Sequence, residues 1–130
     1  MLASRGVRVC ISDLNIADAQ LLASNLPAPA SGTHIAVECN TASWDSQLAA
    51  FQSAVKTLGR IDYVYPIAGI GEKRFLPNNS GDSGQEFVKP MLSVIDVDLT
   101  GVVYTVSLAV QQMRRQGKDA KGYRGKSEFL

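Results

Sequence analysis

The 130 residues predict an α/β layered fold on a parallel sheet, and three observations carry that prediction. Three short runs, VRVCISDLN (residues 7–15), HIAVEC (34–39) and IDYVYPIAG (61–69), hold stretches of consecutive apolar residues, the pattern of strands covered on both faces. Between and after them, apolar residues recur at helical spacing. Strands that alternate with helices pair in parallel, because each helix carries the chain back across the sheet.

Each element has its own local signature. After Asp13, Asn15 is placed to cap a helix, with Asp18 in its first turn and Ile16, Ala19, Leu22, Ala23 and Leu26 on one face. Asn25, Pro27 and Pro29 end it. HIAVEC follows as the second strand. Ser43 then caps a helix whose stripe is Trp44, Leu48, Phe51, Val55 and Leu58, with Gly59 as its stop. The third run dissolves into the polar loop GEKRFLPNNSGDSGQE. Beyond it, Pro90 opens a long helix in which Leu92, Ile95, Leu99, Val102, Val106, Ala109 and Met113 form a seam over about six turns. That seam needs a packing partner.

Composition narrows the classes. A hydrophobic content of 45% fits one globular domain. Thirteen basic residues against twelve acidic ones leave a net charge of +1, so no global field favours nucleic acid or an anionic membrane. No apolar run is long enough to span a bilayer, and MLASRGVRV lacks the pattern of a secretory signal, so the expected location is cytoplasmic. Cys10 and Cys39 read as reduced core thiols. His34 stands alone and reads as a strand-entry residue, not a metal ligand. Six of the thirteen basic side chains (Arg114, Arg115, Lys118, Lys121, Arg124 and Lys126) lie in the last seventeen residues, which read as a solvated tail.

The chemistry begins at Asp13. In sheets that bind dinucleotides the pyrophosphate rests on a glycine-rich turn, and a carboxylate about 20 residues on accepts hydrogen bonds from the adenosine ribose. Asp13 stands at the strand end this geometry requires, and its charge would repel a 2′-phosphate, which selects NAD over NADP. The ordinary alternative is a turn residue. Only twelve residues precede Asp13, too few for the glycine loop with its helix. Gly69-Ile70-Gly71 does not substitute: Arg74 stands where the third glycine would fall, and Pro-Asn-Asn follows.

RGVRVCISDLN resembles the end of the first helix and the second strand of the short-chain dehydrogenases/reductases, with Asp13 in the NAD-selecting position. VECNTASW resembles that family's third strand and adenine-side turn, with Asn40 where an Asp is usual. GRIDYVYPIAGI resembles its fourth strand and Asn-Asn-Ala-Gly ending, of which Ala68 and Gly69 remain while Pro66-Ile67 replaces the asparagines. VIDVDLTGVVYTVSLAVQQM resembles its long interface helix, with Asp98 in the slot of a catalytic Asn and Gly101 and Thr105 on the same stripe. The long helix and the loop before it are most similar to the NAD-dependent prostaglandin-dehydrogenase type and its fungal relatives.

The resemblance runs from Met1 to Lys126. It implies a partial Rossmann fold, a doubly wound, three-layer parallel sheet lacking the first strand and those after the long helix. Residues 1–126 form the partial NAD(P)-binding domain, and 127–130, SEFL, an unrelated tail. It implies oxidoreduction of a small alcohol or ketone with NAD, cofactor contacts at Asp13, Asn40, Ala68 and Gly69, no nucleic acid or membrane partner, and an oligomer through the helix around Leu92 to Met113. The family's Tyr-x-x-x-Lys pair is not in these residues: four positions after Tyr63, Tyr65, Tyr104 and Tyr123 stand Ile67, Gly69, Leu108 and Ser127. The family's catalytic Ser is not matched either. The chain is therefore expected to be inactive alone. Its alternatives are a non-catalytic partner of a full-length relative, an incomplete gene product without function and, last, a flavodoxin-like module. A sheet without its middle strand must pair the second strand with the fourth or leave two apolar edges open.

Overall fold

The structure is a computed structural model and describes residues 2–72, 87 and 89–127. The loop GEKRFLPNNSGDSGQE lies mostly outside them. The elements run β1 (Cys10–Asp13), α1 (Ile16–Asn25), β2 (Ile35–Glu38), α2 (Trp44–Leu58), β3 (Tyr63–Val64), a π-helical turn (Ile95–Thr100), α3 (Gly101–Arg115) and β4 (Lys126–Ser127). The predicted order of strand and helix holds, with each strand shorter than its apolar run.

The caps explain the helix starts. Asn15 accepts from the Asp18 N–H through its side chain at 3.3 Å, and Ser43 does the same for Ser46 at 3.3 Å. Gly59, at φ +82°, ends α2 with its N–H on the Val55 carbonyl. Arg8 adds a second tie, donating to the Leu58 carbonyl at 2.7 Å. His34 is a strand-entry residue: its Nδ1 accepts the Val9 N–H at 3.1 Å, and its Nε2–H donates to the Pro27 carbonyl at 2.8 Å.

β1 and β2 are parallel, with Cys10 opposite Ile35 and Asp13 opposite Glu38. β3 and β4 form a second parallel pair, Tyr63 opposite Lys126 and Val64 opposite Ser127. The basic side chains of the tail are exposed, as expected of a solvated segment, and the reading changes only at Lys126 and Ser127. Lys126 donates its N–H to the Asp62 carbonyl and, with Ser127, becomes a strand across the expected domain boundary. The two pairs are not joined to each other. Of the two outcomes foreseen for the sheet, the edges stay open.

Two helix faces also differ from the periodicity. In α2 the buried residues are Gln47, Ala50 and Ala54, whereas Trp44 at the head of the predicted stripe is 37% exposed. Small side chains let the helix approach closely, and the large ones flank that contact. Trp44 still meets Tyr104 of α3 edge to face, ring centroids 5.4 Å apart. The long helix is interrupted by the π-helical turn and is continuously α-helical from Gly101. Its seam divides: Ala109 and Met113 are buried, whereas Leu92, Ile95 and Leu99 are 46%, 50% and 61% exposed.

Candidate functional site

The carboxyl ends of the parallel strands β1 and β2 lie at one edge, the edge where parallel α/β sheets hold their ligands. Asp13 closes β1, and its backbone carbonyl accepts the Cys39 N–H at 2.9 Å, which draws the turn after β2 alongside. The Asp13 side chain caps its own turn, Oδ1 accepting from the Asn15 N–H at 2.8 Å. Among the described residues its second oxygen has no hydrogen-bond partner. The recess around it is lined by Asp13, Leu14, Asn15, Ile16, Ala17 and Glu38. Among the described residues, two carboxylates and no cation face that space.

Asn40 lies on the same edge, exposed. Its side-chain oxygen accepts the Ala42 N–H at 3.0 Å, and its own N–H donates to Ser46 Oγ at 2.9 Å. The side-chain oxygen, the atom an Asp in this position would share, is thus engaged by the turn, and the side-chain amide is the group left over. Ala68 and Gly69 are exposed beyond β3.

Gly69 and Asp98 are brought together. Asp98 Oδ1 accepts the Ile70 N–H at 2.9 Å, and a Cβ on Gly69 would lie 3.4 Å from that oxygen. Asp98 sits in the π-helical turn, a form concentrated at functional sites. The wider turn breaks the stripe read as Asp98, Gly101 and Thr105: Asp98 faces the β3 loop, and the other two face α2.

There they meet Gln47, which periodicity passed over. Gln47 is 2% exposed and donates to the Thr41 carbonyl at 2.6 Å and the Gly101 carbonyl at 2.9 Å. The Thr105 hydroxyl lies 2.8 Å from Gln47 Oε1 and 2.9 Å from the Gly101 carbonyl. A Gln three residues ahead of Ala50 and seven ahead of Ala54 was the available signal. Behind this network a cavity of about 610 Å³ separates β1 from β3, reaching Ala68 at its outer end.

Among the described residues no group of three His, Cys, Asp or Glu side chains is placed to hold a metal, and no helix is long and apolar enough to cross a membrane. Lys126 Nζ lies 5.1 Å from the centre of the Tyr123 ring, a cation–π contact.

The chain is similar to proteins of one kind. It is 34% identical to 5'-hydroxyaverantin dehydrogenase of Dothistroma septosporum, over 98% of this chain and 44% of that protein. It is also 34% identical to the NADP-dependent dehydrogenase clz5 of Cochliobolus lunatus, over 84% of this chain and 38% of that one. A short-chain type dehydrogenase/reductase from Mycobacterium marinum shares the fold, with TM-score 0.75 and 21% identity over 98% of this chain and 45% of that one. The chain spans less than half the length of each. The sequence profile described as short chain dehydrogenase matches residues 1–122, and the chain belongs to that family.

Proposed function

We propose that these residues form the adenosine-binding half of an NAD-dependent oxidoreductase acting on a small alcohol or ketone, and do not transfer hydride by themselves. Family membership supports NAD(P) as the cofactor, whose nicotinamide carries the hydride when bound. The observation that carries NAD is the Asp13 recess, which among the described residues has a carboxylate oxygen without a hydrogen-bond partner, a second carboxylate from Glu38 and no Lys or Arg in its lining. A ribose hydroxyl can donate to that oxygen. A 2′-phosphate in its place would meet two negative charges. Asn40 would face the adenine with its amide, and Ala68 and Gly69 would pass beside the cofactor along the β3 loop. Asp98 would hold that loop in place through Ile70. Relatives named as NADP-dependent make this recess the point of difference to test.

Calorimetry with NAD and NADP on the 130-residue chain decides it. NAD is expected to bind more tightly, and Asp13→Ala to weaken NAD by roughly tenfold while narrowing the gap to NADP, since a charge-assisted hydrogen bond contributes ~1.5–3 kcal/mol. Equal affinity for both, unchanged by the substitution, would refute the assignment.

A second reading is favoured by the open half of the long seam. Leu92, Ile95, Leu99 and Val103 are all close to half exposed or more, a row fitted to another helix, either a second copy or a full-length relative. Light scattering with Leu99→Lys tests it: the substitution should reduce the mass of any complex.

A further inference from the structure

In the doubly wound order, the strand with the ribose carboxylate lies between the strand of the phosphate turn and the next strand in sequence. Here that next strand is β2, paired with β1. A ribose at Asp13 therefore places its base beside the turn after β2, which Cys39 ties to the Asp13 carbonyl. Three acceptors of that turn are engaged. Asn40 Oδ1 takes the Ala42 N–H at 3.0 Å, the Asn40 carbonyl takes the Ser43 N–H at 3.0 Å, and the Thr41 carbonyl takes the Gln47 side-chain amide at 2.6 Å. The Thr41 side chain packs against α3, its Cβ 3.2 Å from where a Gly101 Cβ would lie. The Asn40 N–H is held by Ser46 Oγ at 2.9 Å. Because Ala42 offers a donor, Asn40 must turn its oxygen to it and not its nitrogen. Asn40 is exposed, and among the described residues its Nδ2 is the one hydrogen-bonding group it has without a partner.

Resting on the adenosine-site assignment above, we propose that Asn40 sets the base specificity of the site by reading the purine as a donor. It bonds a ring nitrogen or a 6-oxo group and does not select the 6-amino group of adenine. The ligand class is then a dinucleotide whose purine carries either substituent. A 6-amino group is itself a donor and cannot bond Nδ2, whereas a purine ring nitrogen or a 6-oxo oxygen accepts from it. An Asp at this position would keep the Ala42 contact with one oxygen and offer the other to the amine. One atom thus decides whether adenine is preferred. Glu38, the other carboxylate on this edge, belongs to the ribose recess with Asp13.

Calorimetry on the 130-residue chain compares NAD with nicotinamide hypoxanthine dinucleotide, in which a 6-oxo group and a protonated N1 replace the 6-amino group and the bare N1. The two should bind the wild-type chain within about threefold of each other, since each offers Nδ2 an acceptor. The Asn40 side-chain amide resonances should move with either ligand. Asn40→Asp should favour NAD over the analogue by about tenfold, because the amine then meets a charged acceptor. A wild-type chain that prefers NAD by about tenfold, with Asp13→Ala weakening both ligands, would overturn the role of Asn40 and leave the ribose assignment standing. Asn40→Asp with the wild-type ratio would show that the base does not meet this side chain. Binding of neither ligand would remove both assignments.

Discussion

The Ile70 N–H donates to Asp98 Oδ1 at 2.9 Å, so one carboxylate ties the loop leaving β3 to the π-helical turn before α3. The contact spans 28 residues of sequence. It fixes the outer wall of the candidate cofactor edge, where Gly69 passes Asp98 closely enough that a Cβ would lie in ordinary contact with Oδ1, at 3.4 Å.

Asp98→Ala should release that loop and Asp98→Asn should not, because the Asn side-chain oxygen can accept the same N–H. The expected loss for Ala is about 0.5–1.5 kcal/mol of stability. Its sharper signature is faster exchange at the Ile70 amide in the Ala variant only. Equal exchange in both variants would show that the contact does not hold the loop.

Gly101 should resist the substitution that normally strengthens a helix. Gly→Ala in a helix interior gains about 1 kcal/mol, yet a Cβ here would sit 2.9 Å from the Thr41 carbonyl oxygen, a backbone atom. Overpacking of that kind costs about 1–3 kcal/mol, so Gly101→Ala should lower the urea midpoint. Gly117, with nothing within 4 Å of its would-be Cβ, is the control and should tolerate Ala.

These contacts mark the boundary of what the sequence discloses. Caps at Asn15, Ser43 and Gly59 act within a few residues of themselves, so they were legible, and Asp13 was legible as a strand-end carboxylate. The buried face of α2 was not. Periodicity scores large apolar residues, and this helix buries Gln47, Ala50 and Ala54 because close approach to α3 requires small side chains and a satisfied polar one. The π-helical turn was equally hidden, since it rotates Asp98 away from Gly101 without altering the apolar spacing. β4 was missed because its two residues carry no strand pattern and gain their partner only in the fold.

Gln47 should be replaceable by neither an apolar nor an acidic residue. Gln47→Leu leaves the Thr41 carbonyl without its side-chain donor and the Gly101 carbonyl with Thr105 as its remaining one, a cost of about 1–3 kcal/mol. Gln47→Glu is worse at neutral pH, because an ionised carboxylate would face two carbonyl oxygens that attract only donors. Protonation restores one donor, so the Glu variant should recover part of its stability as pH falls. Thermal melts of both variants across that range check the sign. A Glu variant equal to wild type at neutral pH would show that the network does not bind α2 to α3.

The two thiols give the pH dependence a definite direction. Burial pushes the Cys10 thiol above its ordinary 9.0; the Ser12 hydroxyl opposes this in part, and Cys39 adds a small further rise. Burial raises Cys39 from the same value, with Ser46 opposing. A raised folded value means that the folded chain holds the thiol proton more tightly than the unfolded chain. The resulting stability is fully present below 9.0 and is lost as pH rises through the folded values. Urea midpoints should therefore fall on going from neutral pH into the alkaline range, and Cys10→Ala with Cys39→Ala should remove that slope, whatever their own effect on packing. Iodoacetamide offers the direct reading, because only the thiolate reacts. The folded chain should reach half-maximal alkylation rate at a higher pH than the same chain in urea, and coincident profiles would show that burial does not govern these thiols.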